Sequence, residues 1–195
     1  MVTADTILES LVKSCNQFPD LPDTVTYTSV ELDMDGNHSN VSLPIVEFYI
    51  EDIQRDQSRN TEKVGHTLDS DGDYDGYVYS QWFTMEVSVD IQTVPETNTT
   101  HRGLDQLVRK ALYRHDNHGP SKRLPKPQAS GTLDDVSWVY VDNIQRSHDF
   151  ALSPSVRGRS VALEIGFTHT LTSEELGIEH DTVKEVVVSD VTVSK

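Results

Sequence analysis

With 195 residues, 32 of them acidic against 16 basic, the chain carries a formal net charge of −16 and only 35% hydrophobic residues. That balance disfavours general affinity for nucleic acid, whose phosphates are held by basic surfaces. The single cysteine, Cys15, excludes an internal disulfide and an all-cysteine zinc site.

The length suits one domain with a real core, and the periodic strands described below distinguish the chain from an acidic disordered protein. Its excess of Asp over Lys matches a surface adapted to a salt-rich cytoplasm, where screening quiets the repulsion between like charges. No apolar run approaches the ~20 residues that span a bilayer, and no signal peptide is read. The expectation is a soluble protein made for the cytoplasm, without a membrane partner.

The first element is a helix over residues 3–15, with Ile7, Leu8, Leu11, Val12 and Cys15 on one face and Thr3 or Asp5 near its start. On that apolar side Cys15 is expected to be a buried, inert thiol. The run Phe18-Pro19-Asp20-Leu21-Pro22-Asp23 stops the helix, since proline has no amide hydrogen to donate. Residues 24–32 then read as a strand with one irregularity, followed by Asp35-Gly36, a tight-turn signal. The next strand, 41–50, meets Pro44 and is placed at an edge early on, with Ile45-Val46-Glu47-Phe48-Tyr49-Ile50 more central. Residues 51–75 contain Arg55, Arg59 and Lys63 and few apolar anchors. They are expected to form a mobile charged excursion that gains order in an assembly, because a structureless loop of this length is unusual in a compact domain.

Residues 79–115 form the centre of the chain. Phe83, Met85, Val87, Val89 and Ile91 alternate with Thr84, Glu86, Ser88 and Asp90, the pattern of a half-buried strand. After a polar break at 94–100 the spacing changes to Leu104, Leu107, Val108, Ala111 and Leu112, the stripe of an amphipathic helix, with Thr99 or Thr100 predicted as its cap. Strand and helix bury their apolar faces against each other and form the core layer.

A second long loop over 115–133 contains Gly119-Pro120, Pro125 and Pro127. Residues 135–144 read as a strand in which Val139 and Val141 fall out of phase with Val136, Trp138 and Tyr140, which predicts burial on both faces. Residues 145–156 are irregular. In 159–171 Val161, Leu163, Ile165 and Phe167 alternate with Ala162, Glu164, Gly166 and Thr168. Thr172-Ser173-Glu174-Glu175-Leu176-Gly177 reads as one capped helical turn, and 183–195 as a last strand or arm. The sum is a single domain over residues 1–195 of the α+β class, an antiparallel-rich β-sheet with two helices packed on one face and long charged loops.

Signals for chemistry are sparse. Asp71, Asp73, Asp75 and Gly76 reproduce the opening of a calcium loop, but Trp82 stands where its bidentate glutamate belongs. Asp33, Asp35 and Asn37 give a second fragment, with His38 in the place of glycine. The reading is of solvated acidic turns and no resident metal. His115-Asp116-Asn117-His118 has the look of a zinc site beyond a helix end, while His115 there can equally favour the helix dipole. No G-x-S-x-G elbow, glycine-rich phosphate loop or H-E-x-x-H pair occurs. No catalytic residue and no cofactor is assigned.

Positive charge is concentrated. Arg102, Arg109, Lys110, Arg114, Lys122, Arg123 and Lys126 are seven of the 16 basic residues and stand against only Asp105 and Asp116. On so acidic a molecule this patch is a place for the acidic face of another copy to dock; a solvated outer helix face is the plain alternative.

The order of elements resembles the tail terminator (tail completion) proteins of long-tailed viruses. The resemblance rests on a leading helix, the Glu47-Phe48-Tyr49-Ile50-Glu51-Asp52 strand end, the charged excursion and Gly76-Tyr77 leading into Phe83-Thr84-Met85-Glu86-Val87-Ser88-Val89-Asp90. It continues through His101-Arg102-Gly103-Leu104-Asp105-Gln106-Leu107 and a later strand pair. With the acidic balance, the chain resembles such a protein from a virus of halophilic archaea. The resemblance implies a structural virion protein without an active site, whose copies close into a hexameric ring that caps the tail tube and meets a head-side connector or stopper protein. It would sit at the head–tail junction after assembly in the host cytoplasm. The strands at 83–91 and 159–171 would build the ring body. The helix over 102–114 and the excursion would contact neighbours and the tube, which makes Arg102, Arg109, Lys110, Arg114, Lys122, Arg123, Arg55 and Arg59 the candidate interface. The 159–171 strand, the 183–195 extension and the 118–127 loop exceed the minimal pattern and leave a stopper or adaptor as the alternative. A calcium-stabilised binding or hydrolytic domain using Asp71, Asp73 and Asp75 represents a different class.

Overall fold

Thr3 caps the first helix, α1 (Ala4–Asn16), accepting a hydrogen bond from the Thr6 amide at 3.2 Å. The helix buries Ile7, Leu8, Leu11 and Cys15, the face its spacing predicts. The computed structural model describes residues 2–29, 44–68, 70–72, 74–93, 103–145, 157–172 and 175. After α1 come β1 (Thr26–Ser29), β2 (Ile45–Arg55), β3 (Glu62–Leu68), β4 (Tyr74–Thr93), α2 (Leu104–Tyr113), β5 (Val136–Gln145) and β6 (Arg157–Thr172). The fold is α+β, with one mostly antiparallel sheet of six strands in the order β1-β2-β4-β6-β5 and β3 paired to β4. Two compact units divide the chain: Met1–Asn60 with Gln81–His169, and Thr61–Ser80 with Thr170–Lys195.

Register places the core. Val46 stands opposite Ile91, Phe48 opposite Val89 and Ile50 opposite Val87, so neighbouring strands present their apolar residues on one face. Val161, Leu163, Ile165 and Phe167 extend that face along β6, and both helices lie on it, α2 through Leu104, Val108, Ala111 and Leu112. Burying a Leu, Ile or Phe side chain is worth roughly 1.5–3 kcal/mol, so this one layer dominates the stability of its unit. The opposite face carries Asp52 against Glu86 and Tyr140 against Glu164.

Several expectations are corrected. β1 pairs with β2 in parallel, which a two-residue hairpin cannot connect; the Asp35-Gly36 signal lies outside the described residues. Residues 51–75 hold regular structure: β2 runs on to Arg55 opposite Phe83, and β3 pairs with the start of β4 from Leu68↔Tyr74 to Glu62↔Ser80. Hydrophobic periodicity misses these strands because their residues stay mostly exposed while the backbone ladder holds them. The cap of α2 is Gly103 at φ 82, with no side-chain cap bond, and the helix begins at Leu104; Thr99 and Thr100 lie outside the described residues.

Strand β5 is buried on one face only. A register shift between Val136 and Trp138 brings Val136 into phase with Val139 and Val141 at the core, and a second, between Val141 and Ile144, brings Ile144 against the same core. Tyr140, on the other face, is exposed, and Trp138 is half-buried above Gly166, where an added Cβ would lie 2.2 Å from the indole. Thr172 and Glu175 exchange hydrogen bonds, Thr172 N to Glu175 Oε2 at 2.7 Å and Glu175 N to Thr172 Oγ1 at 3.3 Å, the reciprocal pattern of a capping box. The rest of that turn, the 183–195 arm and the 146–156 stretch lie outside the described residues.

Candidate functional site

The basic residues predicted as an interface sit on α2 and the loop after it, and most are engaged within the subunit. Arg109 donates through Nε to the Asp142 carbonyl at 3.1 Å and through its terminal nitrogen to Asn143 Oδ1 at 3.4 Å, tying the helix to β5. Lys110 Nζ meets Asp20 Oδ2 at 2.8 Å, and Lys110 and Arg114 converge on the Phe18 ring at 5.5 and 5.6 Å. Arg123 pairs with Asp134 at 2.8 Å, while Lys122 is exposed with φ 52. The Lys110 and Arg123 pairs are exposed, and each is worth about 0–1 kcal/mol, so either can be exchanged for a contact with another molecule at little loss. Arg102 lies outside the described residues.

The structure separates the remaining predicted pair from this group. Arg59 lies 3.9 Å above the Trp82 ring and 3.3 Å from Asp56, closing the turn after β2. Hydrogen bonds from the Ser58 hydroxyl and amide, with Arg59 nearby, hold the Asp56 carboxyl below its ordinary range. Arg55 lines a groove of about 520 Å³ together with Asp52, Asp56, Glu86 and Glu164. An adjoining groove of about 410 Å³ shares Glu86 and Glu164 and adds Glu51, Asp142 and Tyr140. The helix-free face of the sheet is therefore acidic, opposite in sign to the α2 segment on the other side of the same sheet.

Hydrogen bonds within the subunit hold the loop after α2. The buried Asp116 carboxylate accepts from the His118 amide at 2.8 Å and the Val141 amide at 2.9 Å, and Asn117 N donates to the Val139 carbonyl at 2.7 Å. His115 Nδ1 lies 2.7 Å from the Arg123 carbonyl. Its pKa is pushed below 6.5 by burial and by Arg114, against the pull of that carbonyl. Ser10 Oγ donates to the Pro125 carbonyl, and Lys13 Nζ to the carbonyls of Lys126 and Ala129, holding the loop on α1. His115, Asp116 and His118 thus serve the loop, and no grouping of three possible metal-ligating side chains occurs among the described residues.

Sequence reading missed one surface. In the unit containing Thr61–Ser80, β3 and the start of β4 form a hairpin that exposes Val64 (54%), Leu68 (57%) and Tyr74. Tyr74, Tyr77 and Tyr79 form a ladder with ring centroids 5.1 and 6.3 Å apart, and the Lys63 ammonium lies over Tyr77. The signal was available as Asp71-Gly72, with Gly72 at φ 87, between stretches rich in Val, Thr and Tyr. The same aspartates read as a calcium loop obscured it. Asp69 and Asp73 lie outside the described residues.

No protein-family model matches the chain, and no curated protein matches its sequence. Among solved structures, it is similar to the sheath/tube terminator, in the extended state, of an extracellular contractile injection system, PVC. The TM-score is 0.48 at 12% identity, over 100% of this chain and 66% of that one. This chain thus spans just under two thirds of the length of that neighbour.

Proposed function

We propose that this chain is a non-catalytic structural protein of a tailed virus particle, whose copies close into a ring at the end of the tail tube and meet a head-side connector. The observation that carries the reading is the division of charge within one subunit. Basic residues cluster on α2 and its following loop, and the helix-free sheet face is acidic. A closed ring of identical copies needs two unlike, mutually attractive surfaces on each copy. The element order supports the same reading: leading helix, β2 ending in Glu51-Asp52, the β3–β4 hairpin, the Phe83–Asp90 stretch of β4, α2 and the β5–β6 pair follow one another as in the layout that resembles tail terminators.

In this reading the basic interface is Arg102, Arg109, Lys110, Arg114, Lys122 and Arg123, while Arg55 and Arg59, on β2 and its turn, make a separate partner contact. The hexameric stoichiometry and the salt-loving archaeal host belong to the same proposal. Sedimentation across salt from about 0.15 M to about 1 M tests it, together with binding to polymerised tail tubes. A ring-sized species that binds tube ends is expected; a strict monomer that ignores tubes refutes it. Locating the chain by electron microscopy, at the tube end or against the portal, separates a terminator from a stopper or adaptor.

A further inference from the structure

The β3–β4 hairpin combines two properties. It exposes Val64, Leu68 and Tyr74 together, and residues 61–80 carry five acidic residues against Lys63. A two-stranded hairpin has little core of its own, so apolar side chains displayed on it gain most from being covered. Among the described residues β3 has β4 as its strand partner, and a strand at a sheet edge is a natural place for further contacts. The grooves of the sheet face gather Glu51, Glu86, Asp142 and Glu164, with Tyr140 exposed among them. Apolar area removed from water adds more to association than screened surface charges do, so the hairpin is the stronger contact element.

We infer that this hairpin is the arm by which one copy holds the next, docking on the basic end of α2 and its following loop in a second copy of this chain. The inference rests on the ring reading and specifies which acidic surface makes the contact. The receiving surface has the matching chemistry. Tyr113 is an exposed ring on α2, flanked by Arg114, and Lys122 stands exposed in the loop beyond. Lys122 also holds a left-handed backbone, φ 52, which L side chains adopt with strain and glycine without it. The loop that presents it is fixed to α1 through Ser10 and Lys13, so the charge is displayed on a rigid base. Apolar and aromatic contacts would then form the middle of the interface, with Asp71 and Asp75 of the hairpin tip directed at Lys122 and Arg114 across it.

Three full-length variants test this by sedimentation beside the wild type. Leu68→Asp and Val64→Asp each change an exposed residue and should weaken self-association about tenfold or more while the melting transition of the main unit is unchanged. Lys122→Gly should also weaken it, yet melt no lower than wild type because the left-handed backbone suits glycine. A direct geometric test mixes a Leu68→Cys chain with a size-tagged Lys122→Cys chain under mild oxidation, Cys15 being buried. The mixed disulfide should form in preference to either homodimer. Preferential Leu68→Cys homodimers would show hairpin-to-hairpin pairing and overturn the inference. So would a wild type that assembles while the hairpin and Lys122 variants assemble equally well, a result that leaves the ring reading standing. A wild type that stays monomeric at every salt concentration removes both.

Discussion

Replacing Asp116 with alanine is the sharpest test of the fold described above. Asp116 is 3% exposed, and its carboxylate accepts two backbone hydrogen bonds, from His118 at 2.8 Å and from Val141 at 2.9 Å. Hydrogen bonds to a charged group are worth about 1.5–3 kcal/mol each, and a buried amide left without a partner loses its hydration as well. Val141 N lies where the β5–β6 register shifts, between Val141 and Ile144. The expected loss is about 3 kcal/mol after partial relaxation and hydration of the His118 side of the loop. For a chain of this size each kcal/mol moves the midpoint by about 2–4 °C, so Asp116→Ala should melt roughly 6–12 °C below wild type. Asp134→Ala is the matched control: it removes the same charge from the same loop but breaks only the exposed pair with Arg123, with an expected change under about 1 kcal/mol. Thermal unfolding followed by circular dichroism at one salt concentration compares them. If the two variants melt within about 2 °C of each other, the Asp116 bonds do not hold the loop to β5 and the reasoning fails.

Gly119→Ala should be more damaging than Gly166→Ala. The added methyl would lie 2.2 Å from the Tyr113 carbonyl, a backbone atom, in the first case and 2.2 Å from the Trp138 indole, a side chain at the surface-facing strand, in the second. The ordering should show in denaturant midpoints, with Gly119→Ala losing about 2–4 kcal/mol and a reversed order contradicting the packing. Because burial holds His115 below 6.5 in the folded chain, the unfolded state binds the proton more readily. The stabilisation this residue gives is complete above 6.5 and is lost as pH falls from there through the folded value. Relative to His115→Gln, the wild type should therefore lose stability on acidification, and parallel pH profiles would contradict the burial of a neutral ring. Burial raises the Cys15 thiol far above its usual range, so a thiol reagent should label the native chain negligibly and the unfolded chain fully. Rapid labelling of the native protein would place Cys15 outside the core.

Periodic elements were legible because their signal lies in adjacent residues. Ile7, Leu8, Leu11 and Cys15 mark one side of α1, and the alternations from Met85 to Ile91 and from Val161 to Phe167 mark the core face of two strands. Those patterns alone establish the α+β class and most of the core, since burying an apolar face needs only the right spacing. The concentration of basic residues after Gly103 was equally visible in composition. Their engagement was not: Arg109 with Asp142, Lys110 with Asp20 and Arg123 with Asp134 join residues whose proximity is made by the fold.

Tertiary structure alone decided the parallel β1–β2 pair and the bulge that puts Val136 in phase with Val139 and Val141. Strand partners are chosen by backbone hydrogen bonds and by side chains distant in sequence, neither of which leaves a local period. An exposed strand such as β3 leaves even less, because it lacks the apolar alternation by which a strand is recognised. Sequence thus determined which faces had to be hidden; only the folded chain, by setting which backbones meet, determined which remain displayed.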